Sequence, residues 1–349
     1  MRIAILGAGI SGLTLGYYLK ESQPGCEIEI FEKSARVGGN IRTVKQSGFV
    51  FEQGPRGVRP KGKGAEVLEL SHDVGLGSEV IFANKEASVR YIYCDRSLHK
   101  APLSLGSVIT SPLTRGWMKA LWKDVTAKPY NVPDETLGSF SRRRFGESIT
   151  QNIIDPLASG VWAGDIERLS FHSVFPALAN IESKHGSFIK GWARKHNGKS
   201  QKSKIKSALF SFRHGMQMLP YYLSRRLEKN LRLSTPIEDL TFSDGKFRLY
   251  SQGVSWSFDK VITTLPAYQN ATLLTEAHDE LIRNLKDIEY APLAIVSLGF
   301  DRKVNPYRGF GYLVPHQERE MILGAVWNDQ TFREHSDNNA SSMTVMIGG

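Results

Sequence analysis

Two cysteines in 349 residues, Cys26 and Cys94, lie far apart in the chain, which excludes a disulfide framework and a C-x-x-C metal or redox pair. A reducing compartment is therefore the default. Long hydrophobic runs are also missing, since no stretch approaches the roughly 18 apolar residues of a membrane-spanning helix. Met1-Arg2 leads into Ile3-Ala4-Ile5-Leu6 with no signal-peptide hydrophobic region and no Arg/Ser-rich presequence, so the fold is expected to begin at the first residue. There is no His-x-x-x-His pair or acid cluster of metal-site spacing, and no G-x-S-x-G elbow, because Ser11 sits in Gly9-Ile10-Ser11-Gly12-Leu13. Acids are the scarcer charge. Lys+Arg number 45 against 35 Asp+Glu, a net +10, which favours polyanions, anionic lipid headgroups or carboxylate-bearing small molecules as partners.

What is present is globular. Hydrophobic residues make up 41%, charged residues 23% and aromatics 10%, and the length allows two or three lobes around a large core. The first segment carries the clearest signal. Ile3-Ala4-Ile5-Leu6 is a continuously apolar run of the kind found in a parallel strand buried on both faces. It ends in Gly7-Ala8-Gly9-Ile10-Ser11-Gly12, a G-x-G-x-x-G turn, and Ile10, Leu13 and Tyr17 follow at helical spacing. The first glycine permits the tight turn, the second lets backbone approach a pyrophosphate, and the third lets the helix pack on the strand. A second strand, Glu27–Phe31, leads to Glu32, 20 residues after Gly12, where a carboxylate accepts hydrogen bonds from an adenosine ribose. NAD and FAD both fit this unit, while Glu32 would repel the 2′-phosphate of NADP.

The following residues separate the two. Arg36-Val37-Gly38-Gly39-Asn40-Ile41-Arg42-Thr43 resembles the R-x-G-G-R-x-x-S/T segment of the flavin-containing amine oxidase superfamily, with Asn40 in place of the usual arginine. Phe51-Glu52-Gln53-Gly54-Pro55-Arg56-Gly57-Val58-Arg59-Pro60 resembles the F-E-x-G-P-R-G-x-R-P stretch of the protoporphyrinogen oxidases, flavoenzymes of haem biosynthesis. Further matches follow in the same order: Arg90-Tyr91-Ile92-Tyr93 with Leu98-His99-Lys100-Ala101-Pro102, Pro133-Asp134-Glu135-Thr136 with Arg142–Gly146, Gly160-Val161-Trp162-Ala163-Gly164, Gly215–Pro220, Val261–Ala267 and Gly309–Pro315. The likeness covers essentially the whole chain.

That resemblance implies FAD as cofactor, held by Gly7, Ala8, Gly9, Ile10, Ser11, Gly12, Glu32, Lys33, Asn40, Gly54, Pro55, Arg56, Gly57 and Ile237. It also implies protoporphyrinogen IX as substrate, with hydride passing from a meso carbon to flavin N5, three times over, and molecular oxygen regenerating the flavin. The flavin carries the hard step, so no catalytic side chain is expected. By the same resemblance Arg90 pairs with a propionate, Phe310 and Leu313 sandwich pyrrole rings, and Gly160 lies nearest the reacting face. The competing reading of these four is a surface arginine, two core residues and a turn glycine. Coproporphyrinogen III, a polyene or an amine remain alternative substrates, and a flavin-free chaperone-like protein or a cofactor-free remnant the alternatives to an enzyme. Members of the family close with a C-terminal flavin-binding segment after a T-V-M-x-G-G strand, and this sequence stops at Thr344–Gly349. The adenine, ribose and first pyrophosphate contacts are expected here, and the chain as given is expected to be a poor catalyst beside a longer one.

The expected fold is α/β, with a Rossmann-like FAD-binding domain over 1–85 and 207–268, a mixed-sheet substrate domain over 86–105 and 269–349, and a helical insertion over 106–206. Trp117, Leu121 and Trp122 form a bulky patch there, either core packing or a membrane-facing surface. Lys190, Arg194, Lys195, Lys199, Lys202, Lys204 and Lys206 occur with no acid between them, as a solvated loop or a lipid-docking segment. Nucleic acid is not expected, because no aromatic platform interleaves these charges. A membrane surface and a second copy of the chain complete the expected partners. The location is expected to be cytoplasmic or peripheral on the cytoplasmic membrane, and the mitochondrial inner membrane if the source is eukaryotic.

Overall fold

The computed structural model describes residues 1–102, 105–126, 134–187, 208–274, 279–337 and 339–349. Pro133 and the basic stretch from Lys190 to Lys206 lie outside the described residues. The chain divides into two compact units, Met1–Phe82 with Ser207–Tyr290, and Ala83–Lys206 with Ala291–Gly349.

The first unit is built on a four-stranded parallel sheet in the order Lys260–Thr263, Arg2–Leu6, Glu27–Phe31, Leu231–Arg232. Ile3 to Leu6 are buried because both faces of this central strand are covered. One face packs Ile5, Leu13 and Ile30 against Phe210, Phe212, Leu219, Leu223 and Leu227. The other packs Ala4, Leu6 and Phe31 against Leu249, Phe258 and Leu273. Leu273 explains a difference from the expected boundary at residue 268. Its helix, Ala267–Leu273, belongs with the first unit because Leu273 is buried in the same cluster as Leu6 and Phe31. The backbone N–H of Ala267 also donates to the Tyr290 hydroxyl at 2.9 Å, tying the end of that segment back to its start.

The second unit holds a six-stranded mixed sheet in the order Leu293–Phe300, Ser341–Gly348, Ile322–Trp327, Gly311–Leu313, Tyr91–Cys94, Ser97–Lys100. Its neighbours are antiparallel except Gly311–Leu313 and Tyr91–Cys94, which run parallel with Tyr312 opposite Tyr91. The helices between residues 105 and 187 group with this sheet in the same unit. They carry their own core of Leu137, Phe140, Ala158, Ile166 and Phe171, with the Phe140 and Phe171 rings stacked at 3.6 Å. Beneath it Arg144 is wholly buried. Its guanidinium reaches Glu182, Asp124 and the carbonyls of Asp124 (3.1 Å) and Gly186 (2.8 Å), the multiple partnering that a buried cation requires.

Candidate functional site

In the first unit, Gly9 precedes the helix Ile10–Ser22, whose first-turn N–H groups have no partners within the helix. A Cβ added at Gly9 would meet nothing within 4 Å, so the turn leaves open space beside its backbone. A Cβ at Gly12 would fall 1.9 Å from the Gly7 carbonyl oxygen, which makes that glycine a packing requirement of the turn itself. Ala8 donates its N–H to one oxygen of Glu32 at 2.9 Å, and Ser34 donates to the other at 2.9 Å. Each carboxylate oxygen keeps a lone pair after these bonds. Thr235 donates its N–H to the Glu32 carbonyl at 2.9 Å, and Ser234 donates to that of Ser34 at 3.0 Å, so the segment leading to Ile237 runs beside Glu32–Ser34. Ile237 itself is half-buried against the cluster containing Leu6 and Phe31, and Lys33 is exposed.

The glycine pair closes on the same turn. Gly38 donates its N–H to the Ala8 carbonyl at 2.8 Å, and a Cβ at Gly39 would touch the Gly9 Cα at 3.3 Å. Gly54 is held against Asn40, whose carbonyl oxygen lies 2.1 Å from where its Cβ would be. Two residues further, Arg56 Nε and Nη2 are shut off from solvent and have no hydrogen-bond partner. Burial pulls its pKa below the ordinary guanidinium range, opposed by the charge of Glu52. A half-buried cation with two orphaned donors, an open glycine backbone and exposed helix-start N–H groups together fit an anionic dinucleotide such as FAD. Gly9, Ile10 and Ser11 would then hold the pyrophosphate of FAD, and Glu32 would accept from its ribose.

Sequence reasoning missed one group here. Glu52 is buried and accepts from the Met216 N–H at 2.7 Å and the Thr43 hydroxyl at 2.8 Å, while Gln217 accepts from the Thr43 N–H at 3.0 Å. These bonds tie the hairpin Thr43–Glu52 to the turn at Gly215, and burial raises the Glu52 pKa. An acid inside an apolar strand, Phe49-Val50-Phe51-Glu52, was the available signal.

In the second unit the four expected substrate residues form two contacts at the strand Gly311–Leu313, one between Arg90 and Phe310, which precedes the strand, and one between Leu313 and Gly160. Phe310 donates its N–H to the Val89 carbonyl at 2.8 Å, and its own carbonyl accepts from Trp327 at 2.9 Å. The Arg90 guanidinium lies 5.1 Å from the centre of the Phe310 ring, so Arg90 is stacked rather than a lone surface cation. Gly160 lies within the helix Asp155–Trp162, and the turn falls instead at Ala163, which has φ +50°. Leu313 is the reason for a glycine at position 160, since a Cβ there would lie 2.2 Å from Leu313 Cδ2. A separate cavity of about 530 Å3 in this unit includes Lys303, Tyr307, Arg308, Asp329 and Arg333. Lys303 pairs with Asp329 (3.1 Å) and Arg333 with Glu86 (3.9 Å), and the cavity includes none of the four expected residues.

The fold superimposes on a solved structure from Exiguobacterium sp. 255-15, provisionally named a protoporphyrinogen oxidase, with a TM-score of 0.85 and 25% identity, over 99% of this chain and 77% of that one. A putrescine oxidase variant shares the fold at a TM-score of 0.72 and 14% identity, over 99% of this chain and 75% of that one. By sequence, the chain is 32% identical to protoporphyrinogen oxidase of Bos taurus and 30% identical to coproporphyrinogen III oxidase of Bacillus subtilis (strain 168), in each case over 99% of this chain and 77% of the relative. The profile of the flavin containing amine oxidoreductases matches residues 10–349, the span that contains the second half of the glycine turn, Glu32, Arg56 and the Arg90–Phe310 stack, and the chain therefore belongs to that family, with FAD as its cofactor.

Proposed function

We infer that this FAD-dependent oxidase converts protoporphyrinogen IX to protoporphyrin IX, with oxygen as the final acceptor. The observation that carries the reading is the run Phe310–Leu313, which holds a guanidinium stacked on the Phe310 ring at one end and Leu313 packed on the bare backbone of Gly160 at the other. When bound, FAD supplies a two-electron acceptor. The chain's own task is orientation, which suits a reaction that needs placement more than a strong base. Arg90 would meet a propionate with its planar guanidinium, and its stacking on Phe310 limits the rotations it loses on binding. Phe310 and Leu313 offer apolar faces to pyrrole rings, and Gly160 lets its helix pack directly on Leu313. Coproporphyrinogen III is the second reading, supported by the name of the Bacillus relative.

The membrane-associating role of the helical stretch 106–206 belongs to the same proposal. Met118, Leu121, Trp122 and Val125 are exposed on the helix Trp117–Thr126, and a protein carrying them is expected at a membrane surface.

The test is turnover in air followed by porphyrin fluorescence, with the two porphyrinogens side by side. Arg90→Ala should raise KM for the preferred substrate roughly ten- to a hundredfold, the cost of one charged hydrogen bond, with little change in flavin content. Arg90→Lys should recover part of that loss. Unchanged KM in Arg90→Ala would remove Arg90 from the substrate site, and absence of porphyrin from both substrates with flavin-loaded protein would overturn the reading.

A further inference from the structure

We propose that Asp155 and His316 are positioning residues that fix the Leu313–Gly160 contact and so set how tightly the site grips a flat tetrapyrrole. This inference rests on the proposed function and adds two residues to it. Both oxygens of the Asp155 carboxylate are used by one residue of a distant segment. Oδ2 accepts the His316 backbone N–H at 2.8 Å, and Oδ1 is 2.7 Å from His316 Nδ1, which donates in this geometry. A third bond reinforces the pair, from Gln317 Nε2 to Asn152 Oδ1 at 2.6 Å. The single turn His316–Glu318 is thereby strapped to the start of the helix Asp155–Trp162.

The position of the strap gives it a consequence. Leu313 is three residues before His316, and Gly160 is five residues, about one and a half turns, after Asp155. Moving the helix along or away from the strand would open the Leu313–Gly160 contact directly. The helix needs such a fixture, because it follows a π-helical turn at Thr150–Ile154, where one extra residue per turn leaves its rotation poorly determined by its own hydrogen bonds. The carboxylate suits the task. The Asp155 side chain is only 8% exposed, so leaving it without donors is costly, whereas the His316 ring is 54% exposed and free to approach from solvent.

The experiment compares Asp155→Ala and His316→Ala with His316→Asn, whose amide nitrogen can take the place of Nδ1. Two quantities are read on the full chain. One is the Kd for protoporphyrin IX, from quenching of tryptophan fluorescence, which does not depend on loaded flavin. The other is the KM and kcat of porphyrinogen oxidation. Asp155→Ala should weaken protoporphyrin binding and raise KM about tenfold, with kcat and flavin content nearly unchanged, because the strap acts on the wall and not on the reacting atoms. His316→Ala should show part of this loss, since its backbone N–H still reaches Asp155, and His316→Asn should restore binding to near the native value. Native Kd and KM in both alanine variants would overturn the proposal, as would failure of His316→Asn to restore a loss seen in His316→Ala at equal melting temperature. If the native chain neither binds protoporphyrin IX nor oxidises a porphyrinogen, the functional reading fails, and this inference falls with it.

Discussion

Single residues in this protein differ from their type mainly through burial and near neighbours, and Cys94 illustrates it. Its thiol lies within 4.8 Å of carboxylate oxygens of Asp95 and Glu318, at the hairpin turn where Asp95 and Arg96 both have positive φ. Burial, and then the negative charges of Asp95 and Glu318, push the thiol pKa up to about 11. At pH 8 about one thiol in a thousand is then ionised, against about a quarter for an ordinary cysteine, and the thiolate is the nucleophile. Iodoacetamide at pH 8 should therefore label Cys94 about a hundredfold more slowly than free cysteine, and Asp95→Asn with Glu318→Gln should speed it; equal rates in native protein and variant would remove the carboxylates as the cause. Cys94 was legible in the sequence as an unpaired cysteine, and its carboxylate neighbours were not. Glu318 is 224 residues away, and only the sheet that sets Gly311–Leu313 beside Tyr91–Cys94 brings that region close. The same holds for Glu52 and Met216, which are 164 residues apart.

At the level of elements, the glycine turn was the most legible part of the chain, because strand, turn and helix are consecutive and the chemistry is local. The structure adds that its glycines serve two different ends. Gly9 has φ −71° and ψ 179°, extended backbone open to any residue, and its Cβ direction is empty. Gly9→Val should fold with a stability within about 1 kcal/mol of native yet lose FAD, since its side chain fills the space the pyrophosphate needs. Gly12→Ala should instead destabilise the first unit by about 3 kcal/mol, through collision with the Gly7 carbonyl. Chemical denaturation and flavin content measured on the same preparations separate the two. A Gly9→Val protein that keeps native flavin would remove the cofactor from this turn. Element boundaries were harder to see. The helix Ala267–Leu273 belongs with the first unit because Leu273 enters a cluster that includes Ala4, Leu6 and Phe31, more than 200 positions earlier, a contact no local pattern displays. Gly160 resembles a turn glycine in sequence, and its helical setting becomes clear only once Leu313 is seen against it.

For the molecule as a whole, net charge and exposed apolar surface bear on the proposed membrane association. The chain carries +10, and the helix Trp117–Thr126 directs Ala120 and Asp124 inward while leaving Trp122 69% and Met118 68% exposed. Ten residues rise about 15 Å, too short to cross a bilayer of about 30 Å, and among the described residues no helix is long and apolar enough to do so. Under the proposed membrane association, this short helix, with an apolar face and with Lys119 and Lys123 exposed on it, would lie in the plane of a membrane interface. Each large side chain transferred from water contributes about 1.5–3 kcal/mol at most. Met118→Ser with Trp122→Ser should therefore lower partitioning onto vesicles of mixed neutral and anionic lipid at least tenfold. Lys119→Gln with Lys123→Gln should lower it less, and that smaller effect should vanish at about 0.5 M salt, where the Debye length is only about 4 Å. The same face could be expected to bury itself against a second copy of the chain, and the two partners differ in what they depend on. Sedimentation that rises with protein concentration and is indifferent to lipid marks self-association, whereas co-sedimentation that follows lipid concentration at fixed protein marks the membrane. Vesicle binding unchanged in the Met118/Trp122 variant would show that this helix is not the docking face.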